Sequence, residues 1–251
     1  TTKFLWMRKK RIYASLKDKM VFVSPSKWMG EIIKQSPLTK DFRCEVIPSA
    51  VDLSIFKPGL RLQARKRLGI KDNEKVIMFS SVKLNDFRKG AKEMREVIDS
   101  LKPSFNDSLT VLFVGSQEKD FKFSSEVKVI QTGLITDNNS LVSCYNGSDV
   151  YLSMSKADNL PNTLIEASSC GLPIVTLDSG GCAEIIEDDK SGYAVKNTTQ
   201  AVSALKDILN NRRKQEDFSI NARVFAQKHF SMQSQVDSYL NLAKELVNGT
   251  K

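Results

Sequence analysis

The sequence predicts an α/β fold built on a doubly wound parallel sheet, and three observations predict it. Between residues 75 and 195, short runs rich in β-branched residues alternate with helical stretches, the pattern of βαβ crossovers. The first five of these runs are apolar on both faces, as strands buried between two helix layers must be. The chain of 251 residues, 41% hydrophobic and 27% charged, has the composition of an ordinary globular protein and the length of one large domain or two modest ones.

Residues 1–49 carry a basic helix (about 3–17), a strand in "KMVFVSP" (19–25), a helix in "SKWMGEIIKQS" (26–36) and a short strand in "CEVIP" (44–48). That is too little for an independent domain and reads as the tail of one. The start "TTKFLWMRKKRIY" lacks both an initiator Met and the long apolar core of a secretory signal, so the chain is expected to begin inside a longer protein. "PSAVDLSIFKPG" (48–59), with Pro48, Pro58 and Gly59 as breakers, is a connector. The second domain, residues 50–225, holds the strand runs 75–82, 109–115, 127–133, 149–155, 173–179 and 192–195, with helices near 89–101, 138–146, 162–170 and 181–187. Residues 198–248 read as helical throughout. Val236, Leu240, Ala243 and Val247 form one stripe, and 226–251 is a separate C-terminal helical unit.

Composition removes several function classes. No apolar run approaches the ~18 residues that span a bilayer. Cysteines 44, 144, 170 and 182 form no CxxC pair, which suits reduced thiols and a cytoplasmic location rather than a metal site. The formal net charge of +9 suits phosphate-bearing ligands, anionic membrane or nucleic acid. The last ranks far below the others, because no RNA-binding aromatic signature, zinc-finger spacing or basic zipper region is present. His229, the one histidine, lies in the C-terminal helices, far in sequence from the strand-end loops, and reads as structural. A triad, a His-based acid/base and a zinc site are therefore unexpected.

Ligands of such sheets bind beyond the carboxyl ends of the strands. There, "ADNLPNTLIEASSCGLP" (157–173) enters a helix through Pro161, and Gly171 and Pro173 end it. The N–H groups from about Asn162 to Ile165 form a cradle for phosphate oxygens. Asp158 sits in the loop above that cradle and Glu166 about one turn down the helix, so two carboxylates flank it and could grip hydroxyls on either side. Acids at helix starts also complement the dipole, and by spacing alone that reading is slightly the stronger. "VKLNDFRKGAKEM" (82–94) brings Lys83, Arg88 and Lys89 to the same side, as diphosphate partners or as an exposed basic loop. In "DSGGCAEII" (178–186), Gly180 and Gly181 permit close backbone approach to a ligand, or simply a turn, and Glu184 opens the next helix.

Taken together, these stretches resemble the C-terminal half of a GT-B glycosyltransferase of family 4, a retaining group. "FVSPSKWMGEIIKQS", "VIPSAVDLSIFKP", "FRKGAKEM", "SKADNLPNTLIEASSCGLPIVTLDSGGCAEII" and "FSMQSQVDSYLNLAKEL" carry the resemblance, with the segment 155–186 the most specific. The resemblance implies two Rossmann-like domains, of which 1–49 is the remnant of the acceptor-binding one, with the last helices crossing back to it. It implies that Glu166 binds the nucleotide's ribose and that Asp158 faces the donor sugar. The backbone of Asn159, Leu160, Pro161, Asn162 and Thr163 would hold the distal phosphate. Lys89, with Arg88 or Lys83, would balance the departing diphosphate, and Gly133, Leu134 and Ile135 would lie near the base; Gly181 and Glu184 belong to the same donor-binding set. The family usually has Glu at the first acid, and Asp158 is one methylene shorter.

The implied donor is a nucleotide sugar, read here as a UDP-sugar, with no metal and no other cofactor. The implied acceptor is saccharide or lipid-linked, in surface polysaccharide synthesis, with peripheral contact at the inner membrane face. The 251-residue chain alone is expected to bind donor with little or no transfer. A competing reading keeps the fold and the site without catalysis, as a nucleotide-sugar-binding partner subunit; Asp158 is the feature that favours it.

Overall fold

The structure, a computed structural model, describes residues 2–17, 19–82, 87–105, 108–116, 123, 124 and 126–248. The first part comprises α1 (Thr2–Leu16), β1 (Phe22–Ser24), α2 (Lys27–Gln35) and β2 (Cys44–Val46). β1 and β2 pair in parallel, and Tyr13, Phe22 and Phe42 meet edge to face with centroids 5.3–6.2 Å apart.

The larger part follows with α3 (Arg61–Leu68), β3 (Lys75–Ser81), α4 (Ala91–Phe105), β4 (Leu109–Gly115), β5 (Lys128–Gln131), α5 (Asn138–Gly147) and β6 (Val150–Ser153). It continues through α6 (Asn162–Ser169), β7 (Ile174–Leu177), β8 (Gly192–Val195), α7 (Thr198–Asn210) and α8 (Arg212–His229). Six strands form one parallel sheet in the order β5-β4-β3-β6-β7-β8. The chain starts at β3, winds outward to β5, then returns to β6 and winds the other way, the doubly wound topology the sequence predicts.

Both faces of the sheet are buried because alternate side chains feed two cores. Ile77 and Phe79 of β3, with Val111 and Phe113 of β4, pack under α4 and α7. Val76 and Met78, with Leu112 and Val114, pack under α5 and α6. The helix expected at 181–187 is only a 3₁₀ turn at Cys182–Ile185, because the chain must bend back into β8 through Asp189, whose φ is 57°. Expected near 89–101, α4 runs on to Phe105 with Pro103 inside its last turn.

The helical pattern did not reveal α3. Its sequence, "RLQARKRL", has no apolar stripe, yet Arg65 is 1% exposed. Nε donates to Gly147 O at 3.1 Å, and Nη1 lies 2.8–3.0 Å from the carbonyls of Lys71, Asp72 and Glu74. Nη2 donates to Asp149 Oδ2 at 2.8 Å. Asp149 also accepts from the Val76 N–H at 2.7 Å and from Gln215 Nε2 at 2.9 Å, and it pairs with Arg61 at 2.6 Å. The amino ends of β3 and β6 are thereby tied to α3 and α8.

The final helix, α9 (Met232–Asn248), reaches the first part of the chain. Arg43 holds Glu245 through two bonds of 2.7 and 2.8 Å, and Gln235 Nε2 donates to Pro48 O at 2.8 Å.

Removing one partner of a buried ion pair strands the other. Asp149→Ala is expected to lower the unfolding free energy by about 3–5 kcal/mol, read by urea denaturation. A loss below about 1 kcal/mol, the range of an exposed pair, would show that Arg65 is not held by this carboxylate.

Candidate active site

The site forms where the loops leaving β3 and β6 meet. Phe87–Lys89 make a 3₁₀ turn that enters α4 through Gly90. Gly90 has φ +67°, and a Cβ there would lie 1.9 Å from the Met154 carbonyl oxygen, so no other residue lets these backbones approach so closely. The Arg88 carbonyl accepts from the Lys156 N–H at 2.7 Å, and the Ser155 hydroxyl lies 3.1 Å from it.

Locking the loops brings two predicted residues together. Lys89 Nζ lies 3.1 and 2.9 Å from the two oxygens of Asp158, and the Ser155 hydroxyl sits 2.5 Å from Oδ2. Lys89 and Asp158 remain 34% and 23% exposed, so the pair stands at the wall of an open cleft rather than in the core. Lys156, beside it, pairs with Glu93 at 2.7 Å and lies 3.9 Å over the Phe87 ring. Lys83 lies outside the described residues.

The Gly180–Gly181 pair serves a different purpose from the expected one. A Cβ on Gly180 would lie 2.0 Å from the Asp158 carbonyl, and one on Gly181 would lie 1.7 Å from the Asn159 carbonyl and 2.9 Å from Ser26 Cβ. The backbone these glycines admit is therefore the 158–159 loop itself. The Gly181 N–H donates to Asp158 O at 2.9 Å. Asn159 Oδ1 accepts from the Ser26 hydroxyl at 2.5 Å. Glu184 is also placed elsewhere. Its two oxygens accept from the backbone N–H groups of Lys27 and Trp28, each at 2.8 Å, and so cap α2.

Leu160 is buried, Pro161 is the N-cap of α6 and contributes no side-chain cap, and Asn162 and Thr163 begin the helix. The N-terminal N–H groups of α6 thus meet no capping side chain, and Thr163 faces the cavity. The small residues of α6 pack against α8 rather than against the sheet alone: the Ser168 hydroxyl donates to Ala222 O at 2.9 Å.

The cavity, about 360 Å³, lies beside Lys89 and is lined by Ser80, Ile135, Leu134, Tyr145 and Thr163. Gly133 turns the loop at its rim with φ +75°, and Leu134 is exposed. Glu166 is not itself a lining residue; it accepts from the hydroxyl of Tyr145, which is, at 2.7 Å. Burial pushes the Glu166 carboxyl above the usual glutamate range, and the Tyr145 hydrogen bond opposes that shift. Ser80, which lines the cavity, shares a short hydroxyl contact with Tyr151, and burial pushes the Tyr151 phenol up to about 12.

Ser80, Tyr145, Tyr151 and Ser155 escaped the sequence reading. The usable signal was Tyr151 inside the otherwise apolar strand "VYLS", since a buried phenol needs a partner. His229 packs against Phe225, ring centroids 4.5 Å apart, at the end of α8. Among the described residues no group of three or more His, Cys, Asp or Glu is placed to hold a metal ion, and no helix is long and apolar enough to cross a membrane.

A family model described as Glycosyl transferases group 1 matches residues 61–225. A D-inositol 3-phosphate glycosyltransferase of Paenarthrobacter aurescens is 25% identical over 220 residues, covering 82% of this chain and 53% of that protein. A sucrose-phosphate synthase from Thermosynechococcus elongatus has the same fold, with TM-score 0.80 at 18% identity over 97% of this chain and 62% of the other. Anabaena Alr3699/HepE, solved in complex with UDP-glucose, matches with TM-score 0.75 at 17% identity over 93% of this chain and 67% of that one. The chain spans about half the length of the curated relatives it matches.

The raised Glu166 carboxyl has a consequence for stability. The folded protein binds that proton more tightly than the unfolded chain, so ligand-free stability falls as pH rises from the ordinary glutamate range through the raised value. Glu166→Gln is expected to raise the thermal midpoint near neutral pH, and the gain should vanish below the ordinary glutamate range. A variant less stable than the parent at neutral pH would mean that the site stabilises the charged form.

Proposed function

The chain belongs to the glycosyl transferases group 1 family, and from that premise we propose that it binds a nucleotide-sugar donor, a UDP-sugar, for transfer to a saccharide or lipid-linked acceptor. One observation carries the reading: Lys89 and Asp158 stand together before the N-terminus of α6, which has no side-chain cap, and Lys89 lines a cavity whose wall residue Tyr145 holds Glu166. The N–H groups of Leu164 and Ile165 donate to Pro161 O, which leaves those of Asn162 and Thr163 for a ligand. A cation, these N–H groups and a carboxylate set apart from them match the order of a diphosphate and its ribose.

In this reading the first N–H groups of α6, with those of Asn159 and Leu160, receive the distal phosphate, and Lys89, with Arg88 on the same turn, balances the diphosphate. Asp158 faces the donor sugar, Glu166 takes the ribose hydroxyls, and Gly133 to Ile135 border the base. Charge developing on the leaving diphosphate meets a fixed lysine and a helix dipole, so stabilisation comes from groups already in position and calls for no metal. Transfer proceeds with retention. Alr3699/HepE, a structural neighbour solved with UDP-glucose, supports the donor class. α1, with Lys3, Arg8, Lys9, Lys10 and Arg11 beside exposed Phe4, Leu5 and Trp6, supports peripheral contact with an anionic membrane face.

Thermal unfolding with UDP, GDP, ADP and UDP-sugars tests the reading. A nucleotide at a hundred times its dissociation constant should add ~2.7 kcal/mol, a rise of several degrees for a chain of this size. UDP and UDP-sugars are expected to give the rise. Lys89→Ala should weaken UDP binding by roughly tenfold or more, the worth of a hydrogen bond to a charged group. The reading falls if no nucleotide shifts the parent protein.

A further inference from the structure

Tyr145 has no part in the donor site as just assigned, yet its hydroxyl is the donor to Glu166, at 2.7 Å. The ring is 1% exposed, wedged between Phe56 and Tyr151 with centroids 6.4 and 6.2 Å away, and it lines the cavity beside Lys89. A buried phenol needs only a backbone carbonyl to be satisfied. Here it is satisfied by a carboxylate instead, which keeps an ionisable group out of water at a cost.

The terminal torsion of a glutamate side chain is broad and roughly two-fold, so packing alone does not fix the plane of its carboxylate. A hydrogen bond to one oxygen does. With Oε2 held by Tyr145, the carboxylate presents Oε1 in one orientation, and a pair of vicinal hydroxyls is read only by acceptors whose plane is set in advance. The charged state of Glu166 is supported by the same bond, which opposes the upward shift that burial imposes.

We propose that Tyr145 is a positioning residue that orients the Glu166 carboxylate and so sets how strongly the donor site recognises the ribose hydroxyls of a nucleoside diphosphate. The inference rests on the donor-site reading above and adds to it a residue on α5 that acts through Glu166.

Affinities of the 251-residue chain for UDP and for 2′,3′-dideoxy-UDP, in the parent, Tyr145→Phe, Glu166→Gln and the double variant, test it. Tyr145→Phe keeps the ring and its packing. The parent should prefer UDP by roughly tenfold or more, the worth of hydrogen bonds to a charged acceptor. In Tyr145→Phe that preference should shrink to a few-fold, through weaker UDP binding with dideoxy-UDP unchanged. The double variant should discriminate no less than Glu166→Gln alone, because the two residues act as one unit. Equal weakening of both ligands by Tyr145→Phe would mark a merely structural role and overturn the inference, as would an undiminished preference. A parent that binds both ligands equally overturns the ribose role of Glu166 and the inference together, leaving the diphosphate assignments standing. A parent that binds neither overturns the donor-site reading itself.

Discussion

The distance between β3 and β6 is the constraint on which the rest depends. These strands are neighbours in the sheet but 75 residues of the chain separate their starts, and only Ile77–Val150 and Met78–Tyr151 hold their register. Each end of the junction has its own fastening. At the amino end Asp149, one residue before β6, accepts the N–H of Val76 in β3 and anchors Arg65. At the carboxyl end Gly90 meets Met154 at a separation no side chain would permit, and Arg88 O receives the Lys156 N–H. The loops diverge from this point in opposite directions, one toward α4 and one toward α6, and the crevice between them is where doubly wound sheets bind ligands. Lys89 and Asp158 face one another because both fastenings hold.

Two carboxylates with restricted access to water show how differently the ends of the sheet are used. Asp149 is surrounded by Arg65, Arg61, Gln215 and the Val76 N–H, so its charge is matched and its lone pairs are filled. Such saturation is what a structural carboxylate requires. Glu166 meets one phenol, and burial moves its carboxyl toward the protonated state. Local mismatch of this kind is tolerated where function draws on it, and it sits at the ligand end of the sheet.

The sheet was legible in the sequence because each strand run is bounded by breakers and apolar on faces that two cores then share; all six observed strands fall within the runs read from it. What escaped has physical causes. α3 is anchored by an arginine, and a charged core residue is invisible to hydrophobic periodicity. Tyr145 acts on a residue 21 positions away, through a contact that only the fold creates. The glycine pair was recognised as a site of close approach, but the partner of that approach, the backbone of Asp158 and Asn159, depends on how β6 and β7 lie side by side. Lys89 and Asp158 were each visible as strand-end residues, whereas their pairing required the Gly90 contact.

The same loop also joins the site to the first part of the chain. Ser26 bonds to Asn159, Glu184 caps α2 through Lys27 and Trp28, and Gly181 packs against Ser26. Asn159 is thus committed to the β1–α2 turn, while its neighbour Asp158 is committed to Lys89. A single peptide link therefore separates the bond to the first part of the chain from the bond at the cleft. Displacement of α2 cannot leave this link untouched without breaking the Ser26–Asn159 bond, and it would also strain the two bonds by which Glu184 caps α2. The backbone on the far side is pinned by the Gly181 N–H to Asp158 O, so little slack remains to absorb such a movement. The β1–α2 turn, outside the stretch that matches the family model, is in this way part of what holds Asn159, and with it Asp158, in place.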